Sequence, residues 1–168
     1  MRITLFGLIT IFAMLPAREA LAQGGHDPKH HAARDSAFRA LQERGKRVMG
    51  VDQDRSTHLF TSLPEGGTIA LTSDSTDTTA TAAIRAHFRE IAGAFATGDF
   101  TLPGEVHAGT VPGTSVMKAR ASRITYRTRD IPGGAELAIG TRDRTALRAI
   151  HVFLAFQRAE HHAGPAQP

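Results

Sequence analysis

Two segments of this chain share one layout, and this recurrence is the feature that most constrains the fold. In each segment, two short stretches of alternating apolar residues flank a turn with Pro and Gly, and a stretch of helical periodicity follows. The hairpin positions match at one constant offset: Pro64, Gly66, Ile69 and Leu71 recur as Pro132, Gly134, Leu137 and Ile139. The pattern predicts one β-β-α unit used twice.

The alternation predicts strands over 57–63, 68–73, 124–130 and 135–141, and the helical periodicity predicts helices over 81–95 and 145–162. Because each hairpin has one apolar face, the two hairpins should join into one sheet, with both helices on the same face. We therefore expect an α+β fold in which two β-β-α units form a four-stranded antiparallel sheet with helices on one face.

Each predicted helix carries a histidine beside its apolar stripe. His87 lies between Ile84 and Phe88, and His151 follows Leu147 by one turn. The two helices align at a slightly smaller sequence offset than the two hairpins, and this alignment pairs His87 with His151. In this alignment the two imidazoles hold equivalent places on neighbouring helices, and a pseudo-twofold relation would bring them close together.

Further potential metal ligands are spread along the chain. They are His58 at the first hairpin, His107 in the segment 99–112 that Pro and Gly predict to be irregular, Met117, and His161 after the last apolar stripe. Imidazole with thioether suits copper, and imidazole with carboxylate suits zinc.

The first hypothesis is a transition-metal site, for copper or zinc, that uses His87 and His151 with one or two of the other four residues. The alternative is that these histidines are structural and bond backbone carbonyls. It stays open because neither His-Glu-x-x-His nor His-x-His is present.

The N-terminus has the features of a secretory signal peptide. Arg2 precedes an apolar run over 3–15, and Ala20-Leu21-Ala22 predicts cleavage between Ala22 and Gln23. We therefore expect a periplasmic or secreted protein without a transmembrane span in its mature form. The chain contains no cysteine, so a metal would have to be held by His, Met, Asp or Glu.

The expected organisation follows from these features. It comprises a signal peptide over 1–22, a flexible histidine-containing segment with a short helix over 23–45, a single α+β domain over 46–162 and a disordered tail over 163–168.

Basic residues are concentrated between positions 113 and 150, although the net charge of the chain is only +4. The small net charge argues against nucleic acid as a partner. A solvated surface explains the basic residues, but a small anionic ligand or another anionic partner on an arginine-rich face is the second hypothesis. The basic residues are Lys118, Arg120, Arg123, Arg127, Arg129, Arg142, Arg144 and Arg148.

A catalytic role has less support in the sequence. There is no Gly-x-Ser-x-Gly and no Gly-rich phosphate loop, since the paired glycines belong to hairpin turns. A hydrolase or transferase with His151 as general base is the third hypothesis, and a binding protein is preferred to an enzyme.

Several short motifs resemble a family of small exported bacterial proteins of unknown role. The first is 49–54, Met-Gly-Val-Asp-Gln-Asp, followed by Thr57-His58; the last is 149–157, Ala-Ile-His-Val-Phe-Leu-Ala-Phe-Gln. The resemblance covers about residues 46–162 and implies export, but it implies no activity. Where the family has a second histidine after Thr-His, this chain has Leu59.

Overall fold

The computed structural model describes residues 28–163. The expected signal peptide, its cleavage site and residues 164–168 of the expected tail lie outside the described residues. The helices are α1 (Pro28–Met49), α2 (Thr78–Ala96), α3 (Thr101–His107), α4 (Thr114–Ala119) and α5 (Arg144–Glu160). The strands are β1 (Ser56–Leu63), β2 (Gly66–Ser73), β3 (Ile124–Ile131) and β4 (Gly134–Thr141). No helix in this part of the chain has both the length and the apolar character needed to cross a membrane.

The strands form one antiparallel sheet in the order β1-β2-β4-β3. Each hairpin closes through two residues, Pro64 and Glu65 in the first and Pro132 and Gly133 in the second. Alternate residues of the strands pack into the core on one face, together with the apolar sides of α2 and α5. The predicted α+β fold, with its four-stranded antiparallel sheet, is confirmed.

The two hairpins meet at β2 and β4, where Ile69 lies opposite Leu137. These residues hold matching positions in the two hairpins, so an approximate twofold axis relates the hairpins at this pair. The amide of Ser73 donates to the carbonyl oxygen of Gly133 at 2.9 Å. The equivalent bond, from the amide of Thr141 to the carbonyl oxygen of Glu65, is also 2.9 Å long.

Two glycines let the hairpins approach this closely. A Cβ atom on Gly66 would lie 1.8 Å from the carbonyl oxygen of Ile139, and one on Gly134 would lie 1.9 Å from that of Leu71. No side chain fits at these distances, so the junction requires glycine at both positions.

The long helices cross over to cover each other's hairpins. α2 follows the first hairpin but packs mainly on β3 and β4, whereas α5 follows the second hairpin and packs mainly on β1 and β2. Ile84 of α2 and Ile150 of α5 are fully buried in the shared core. The other sheet face carries polar and small residues and the exposed Leu59 and Leu63.

The expected flexible segment with a short helix is wrong for its described part, because α1 extends from Pro28 to Met49. Gly45, the last residue of the expected segment, lies against the side chain of Gln53. Leu41 is buried, and the Nε of Arg44 donates to the carbonyl oxygen of Val106 at 2.6 Å. Because of these tertiary contacts, α1 continues past Gly45, a residue at which an isolated helix would end.

The expected irregular segment 99–112 is also wrong in part, because it contains α3. The carboxylate of Asp99 accepts hydrogen bonds from the backbone amide and the hydroxyl of Thr101 at the start of this helix. Pro103 falls in the first turn, where a missing amide hydrogen is tolerated. His107 is therefore held at the end of a helix instead of in a loop.

Candidate functional site

Four histidines from four different parts of the fold line one pocket. His58 comes from β1, His87 from α2, His107 from the end of α3, and His161 from the residue after α5. The cavity has a volume of about 70 Å³, several times the space that one ordered water needs. It can hold a small ion with a few ligands, but not a large organic molecule.

The rest of the pocket wall is almost entirely apolar. Gln157 is the only other polar side chain among the described lining residues, and none of them is acidic. Such walls lower the local dielectric constant and disfavour charged imidazole. The apolar lining residues are Val48, Met49, Phe60, Ile69, Phe88, Ile91, Phe95, Leu102, Pro103, Val106 and Phe153.

His161 is at the centre of the histidine cluster. Its ring is stacked on His58, with 4.7 Å between the ring centroids, and lies edge-on to His107, with 5.3 Å between the centroids. The ring of Phe60 lies 5.7 Å from those of both His58 and His161. The C-terminal end of α5 thus presents one imidazole to two others.

Gln157 forms a hydrogen bond with His107. This amide is only 5% exposed, and its Oε1 lies 2.9 Å from the Nε2 of His107. The sequence interpretation missed Gln157 as a site residue. The available signal was a polar residue at a position that continues the apolar stripe of Ile150 and Phe153 at helical spacing.

His87 forms another part of the pocket wall. Its side chain is 10% exposed, and its Nδ1 lies 3.8 Å from a carboxylate oxygen of the exposed Glu90. This distance is too long for a hydrogen bond, so Glu90 exerts only a weak electrostatic pull on the ring.

The two stacked imidazoles are strongly biased to the neutral form. Burial, aided by repulsion from His87, lowers the pKa of His58 to about 4. Burial also lowers the pKa of His161 to about 3, with additional repulsion from His58 and His107. Both rings are therefore uncharged at neutral pH, which is the protonation state in which imidazole binds metals.

The other two histidines shift in the same direction. Burial lowers the pKa of His87, and Glu90 opposes the shift. Burial also lowers the pKa of His107, while the hydrogen bond to Gln157 opposes the shift. The pocket thus combines four imidazoles whose pKa values all lie below the ordinary value.

Three buried ring nitrogens have no hydrogen-bond partner among the described residues: the Nδ1 atoms of His87, His107 and His161. Buried polar atoms are usually satisfied, so these three atoms are the polar groups that a water molecule or a ligand bound in the pocket would satisfy. As the side chains stand, no group of three His, Asp or Glu residues in the described part of the chain is positioned to hold a metal ion.

His151 does not line this pocket, so the predicted pairing with His87 is wrong. Its Nε2 lies 2.9 Å from the carbonyl oxygen of Leu63 and 3.0 Å from that of Gly66, at the β1–β2 turn. Two carbonyls can only accept, so Nε2 donates and has no lone pair to offer as a base. On α2, Arg85 donates to the two corresponding carbonyls of the β3–β4 turn, at 3.1 and 3.2 Å.

The structural counterpart of His151 is therefore Arg85, which precedes His87 by two positions. Aligning Arg85 with His151 also aligns Asp77 with Asp143, whose carboxylates cap the N-termini of α2 and α5. In the predicted alignment the fully packed Phe88 would match Val152, which is 50% exposed. The predicted alignment of α2 with α5 was therefore shifted along the helix, so it paired residues that lie on different faces of the two helices.

Met117 does not line the pocket either. Its side chain is 0% exposed in the hydrophobic core, because α4 packs against α5. The methionine that does line the pocket is Met49, at the end of α1.

The matching corner of the other half is filled by aromatic packing. In the hairpin and helix alignments, His58 corresponds to Tyr126 and His161 to Phe95. The Tyr126 and Phe95 rings pack edge to face, with 5.8 Å between their centroids. An aromatic pair suffices to fill such a corner, so packing alone does not require histidines on the other side.

The arginine-rich half forms a separate surface groove. Arg123, Arg127 and Arg142 come from three segments and line an open groove of about 830 Å³. Within the described chain none of these three is ion-paired, whereas Arg120 in the same groove binds Asp143 at 2.8 Å. An anionic partner was the second hypothesis from the sequence, and this groove is where such a partner would be bound.

Comparisons with protein-family models, curated proteins and solved structures yield no match.

Proposed function

We propose that this protein binds a transition-metal ion in the histidine pocket. The observation that carries the proposal is the convergence of four imidazoles with lowered pKa values on one apolar cavity, where three Nδ1 atoms are buried without a partner. A metal ion would bind these nitrogens in the tautomer that leaves Nδ1 unprotonated.

The ligand set that we propose is His58, His107 and His161, with His87 as the fourth candidate. Imidazole ligands of a tetrahedral metal at about 2.0–2.1 Å have ring centroids about 5 Å apart. The separations of 4.7 and 5.3 Å around His161 agree with that spacing, although the planes of His58 and His161 are only 28° apart, so these two rings must turn before both can face one ion. Rotation of the rings about their side-chain torsions would complete the site.

Copper is the metal favoured by the pocket wall, and zinc is the alternative. Imidazole suits both ions, but the described residues of the wall include Met49 and no acidic residue. Thioether sulfur is a soft ligand that selects Cu(I), whereas carboxylate oxygen is common in zinc sites.

Export to the periplasm or the cell exterior remains part of the proposal, on the strength of the leader-like sequence over 1–22. Internal duplication also remains part of it. Its support is the constant offset that relates the hairpin registers and the matching caps, Asp77 and Asp143, that relate the helices.

The test is thermal unfolding of the chain with and without Cu²⁺, Zn²⁺ or Ni²⁺. His26, His30 and His31 should first be replaced by glutamine, so that N-terminal histidines do not bind the metal. A metal at a hundredfold excess over its dissociation constant adds about 2.7 kcal/mol to the unfolding free energy. For a domain of this size, that raises the melting temperature by several degrees.

Two variants make the test specific to the pocket. His161→Phe, which copies the matching Phe95, should abolish the rise in melting temperature, while His151→Gln should retain it. If no metal raises the melting temperature, or if both variants respond like the parent protein, the proposed site is wrong.

A second candidate function is binding of a small anionic ligand in the arginine groove, favoured by the three guanidinium groups without ion pairs. Replacing Arg123, Arg127 and Arg142 by alanine should remove salt-sensitive binding of polyphosphate. Arg129→Ala is the control, because Arg129 is paired with Glu136 at 2.9 Å. Polyphosphate binding that is unchanged in the triple variant would exclude the groove.

A further inference from the structure

The amide of Gln157 restricts which nitrogen of His107 can bind a ligand. Its Oε1, which can only accept, lies 2.9 Å from the Nε2 of His107. The bond therefore forms only when Nε2 carries the proton. In that tautomer, Nδ1 holds the free lone pair.

The Nδ1 of His107 is the atom that the pocket leaves without a partner. It is buried and makes no hydrogen bond to any described residue. The edge-on contact between His107 and His161 places this imidazole beside the central ring of the cluster. A ring that donates from one nitrogen to an oxygen and keeps a free lone pair on the other nitrogen is the arrangement found for metal-binding histidines.

We propose that Gln157 is a positioning residue that keeps His107 in the Nε2–H tautomer, so that His107 binds the metal through Nδ1. This inference rests on the proposed metal-binding function and adds the donor atom and its support. Gln157 itself does not touch the metal.

A neutral amide is well suited to this position. Gln157 is buried on the inner side of α5, where a carboxylate would carry an uncompensated charge into the core. The amide supplies the same acceptor oxygen without that charge. It also fixes the plane of the His107 ring, since both partners are held by helices, α5 and α3.

The first test needs no metal. Nitrogen-15 NMR of the whole chain reports which ring nitrogen of each histidine is protonated. We expect His107 to carry its proton on Nε2 in the parent protein and to lose this preference in Gln157→Leu. A His107 protonated on Nδ1 in the parent, or a tautomer unchanged in Gln157→Leu, would overturn the inference.

The second test measures the dissociation constant for Cu²⁺ and Zn²⁺ in the same proteins. We expect Gln157→Leu to weaken binding by about 10- to 100-fold, as is usual when a supporting hydrogen bond is lost. Gln157→Glu keeps an acceptor oxygen, and its buried charge is compensated only when the cation is bound, so metal binding should return to within a few-fold of the parent while the metal-free protein loses stability. Val152→Ala, at an exposed position of α5, is the control for changes in the helix.

The outcomes separate the two proposals. If the parent binds metal and Gln157→Leu binds equally well, the positioning role is wrong while the proposed function stands. If the parent binds no metal, the proposed function is wrong, and the proposed role of Nδ1 as a metal ligand is wrong too, whichever tautomer His107 adopts.

Discussion

At the scale of single residues, the defining property of this protein is a set of buried imidazoles held in the neutral form. A buried His pays a desolvation penalty when it is protonated, and each neighbouring imidazole adds repulsion. His58 and His161 show the largest shifts, with pKa values of about 4 and 3. The folded protein therefore resists protonation that the unfolded chain accepts.

The first prediction concerns acid stability. Unfolded histidine titrates near 6.5, so between about pH 6.5 and 4 the unfolded chain binds more protons than the folded protein. The unfolding free energy should fall with decreasing pH in this window, by up to about 1.4 kcal/mol per pH unit for each buried histidine. Urea denaturation at pH 7.5, 6.0 and 5.0 measures the slope.

The matched variant is His58→Tyr with His161→Phe, which reproduces the Tyr126 and Phe95 pair of the other half. It should flatten the pH dependence. A slope equal to that of the parent would show that these two histidines do not cause the acid sensitivity.

The second prediction concerns Met49. Met49→Leu keeps a side chain of similar volume and should cost less than about 1.5 kcal/mol in stability, but it removes the thioether from the pocket wall. The affinity for Cu(I) should fall about tenfold or more, while that for Zn²⁺ should hardly change, because only Cu(I) favours soft sulfur. Competition with a chromogenic chelator measures both, and an equal loss for the two ions would argue against a sulfur ligand.

At the scale of elements, α2 and α5 are each tied to the hairpin of the other unit by one side chain. Arg85 holds the β3–β4 turn and His151 holds the β1–β2 turn, each through two carbonyl oxygens. Side chains of different chemistry thus occupy the same structural position. This explains why a histidine that looked like a ligand in the sequence has a structural role.

The third prediction follows from this position. His151→Ala should lower the unfolding free energy by about 1–2 kcal/mol, because two carbonyl oxygens lose their donor. Chemical denaturation gives the value. The nitrogen-15 signals of the pocket histidines should not move, and a loss of metal binding in a folded His151→Ala protein would contradict the assignment.

At the scale of the whole molecule, stability depends on how closely the two hairpins join. The backbone of β2 lies so near that of β4 that neither Gly66 nor Gly134 can carry a side chain. Without this junction, α2 and α5 could not both cover one continuous sheet. The pocket would then be lost, because it draws residues from β1, α2, α3 and α5.

The fourth prediction tests that junction. Gly134→Ala places a Cβ atom 1.9 Å from the carbonyl oxygen of Leu71, so strands β2 and β4 must separate locally. We expect a loss of about 1–3 kcal/mol or more in unfolding free energy.

Gly93→Ala is the control for this substitution. Gly93 lies in α2 with nothing within 4 Å of an added Cβ, and alanine there should stabilise the protein by about 0.4–1 kcal/mol. Equal effects of the two substitutions would show that the close approach at Gly134 does not limit stability.

Much of the fold was predictable because its signals are local. Alternating residues around turns with Pro and Gly located the strands to within about two residues. The extent of α1 was not predictable. It depends on contacts of Gly45 with Gln53, which follows the helix, and of Arg44 with Val106, which is distant in the sequence.

The site was predictable only in part. The sequence named His58, His87, His107 and His161 as candidates, since imidazole is the principal transition-metal ligand in a chain without cysteine. It could not separate them from His151 and Met117, because a small error in the helix alignment rotates a side chain to another face of the helix. Gln157 was missed because an amide alone has no ligand signature.

From the sequence alone, local signals account for the hairpins, the helices that follow them and the antiparallel sheet, because turn chemistry and hydrophobic periodicity act over a few residues. Which histidines meet depends on tertiary packing. Their rings come together because α5 crosses to the first hairpin and His107, the last residue of α3, contacts the C-terminal part of α5, and such long-range packing is set by the whole core rather than by any local pattern.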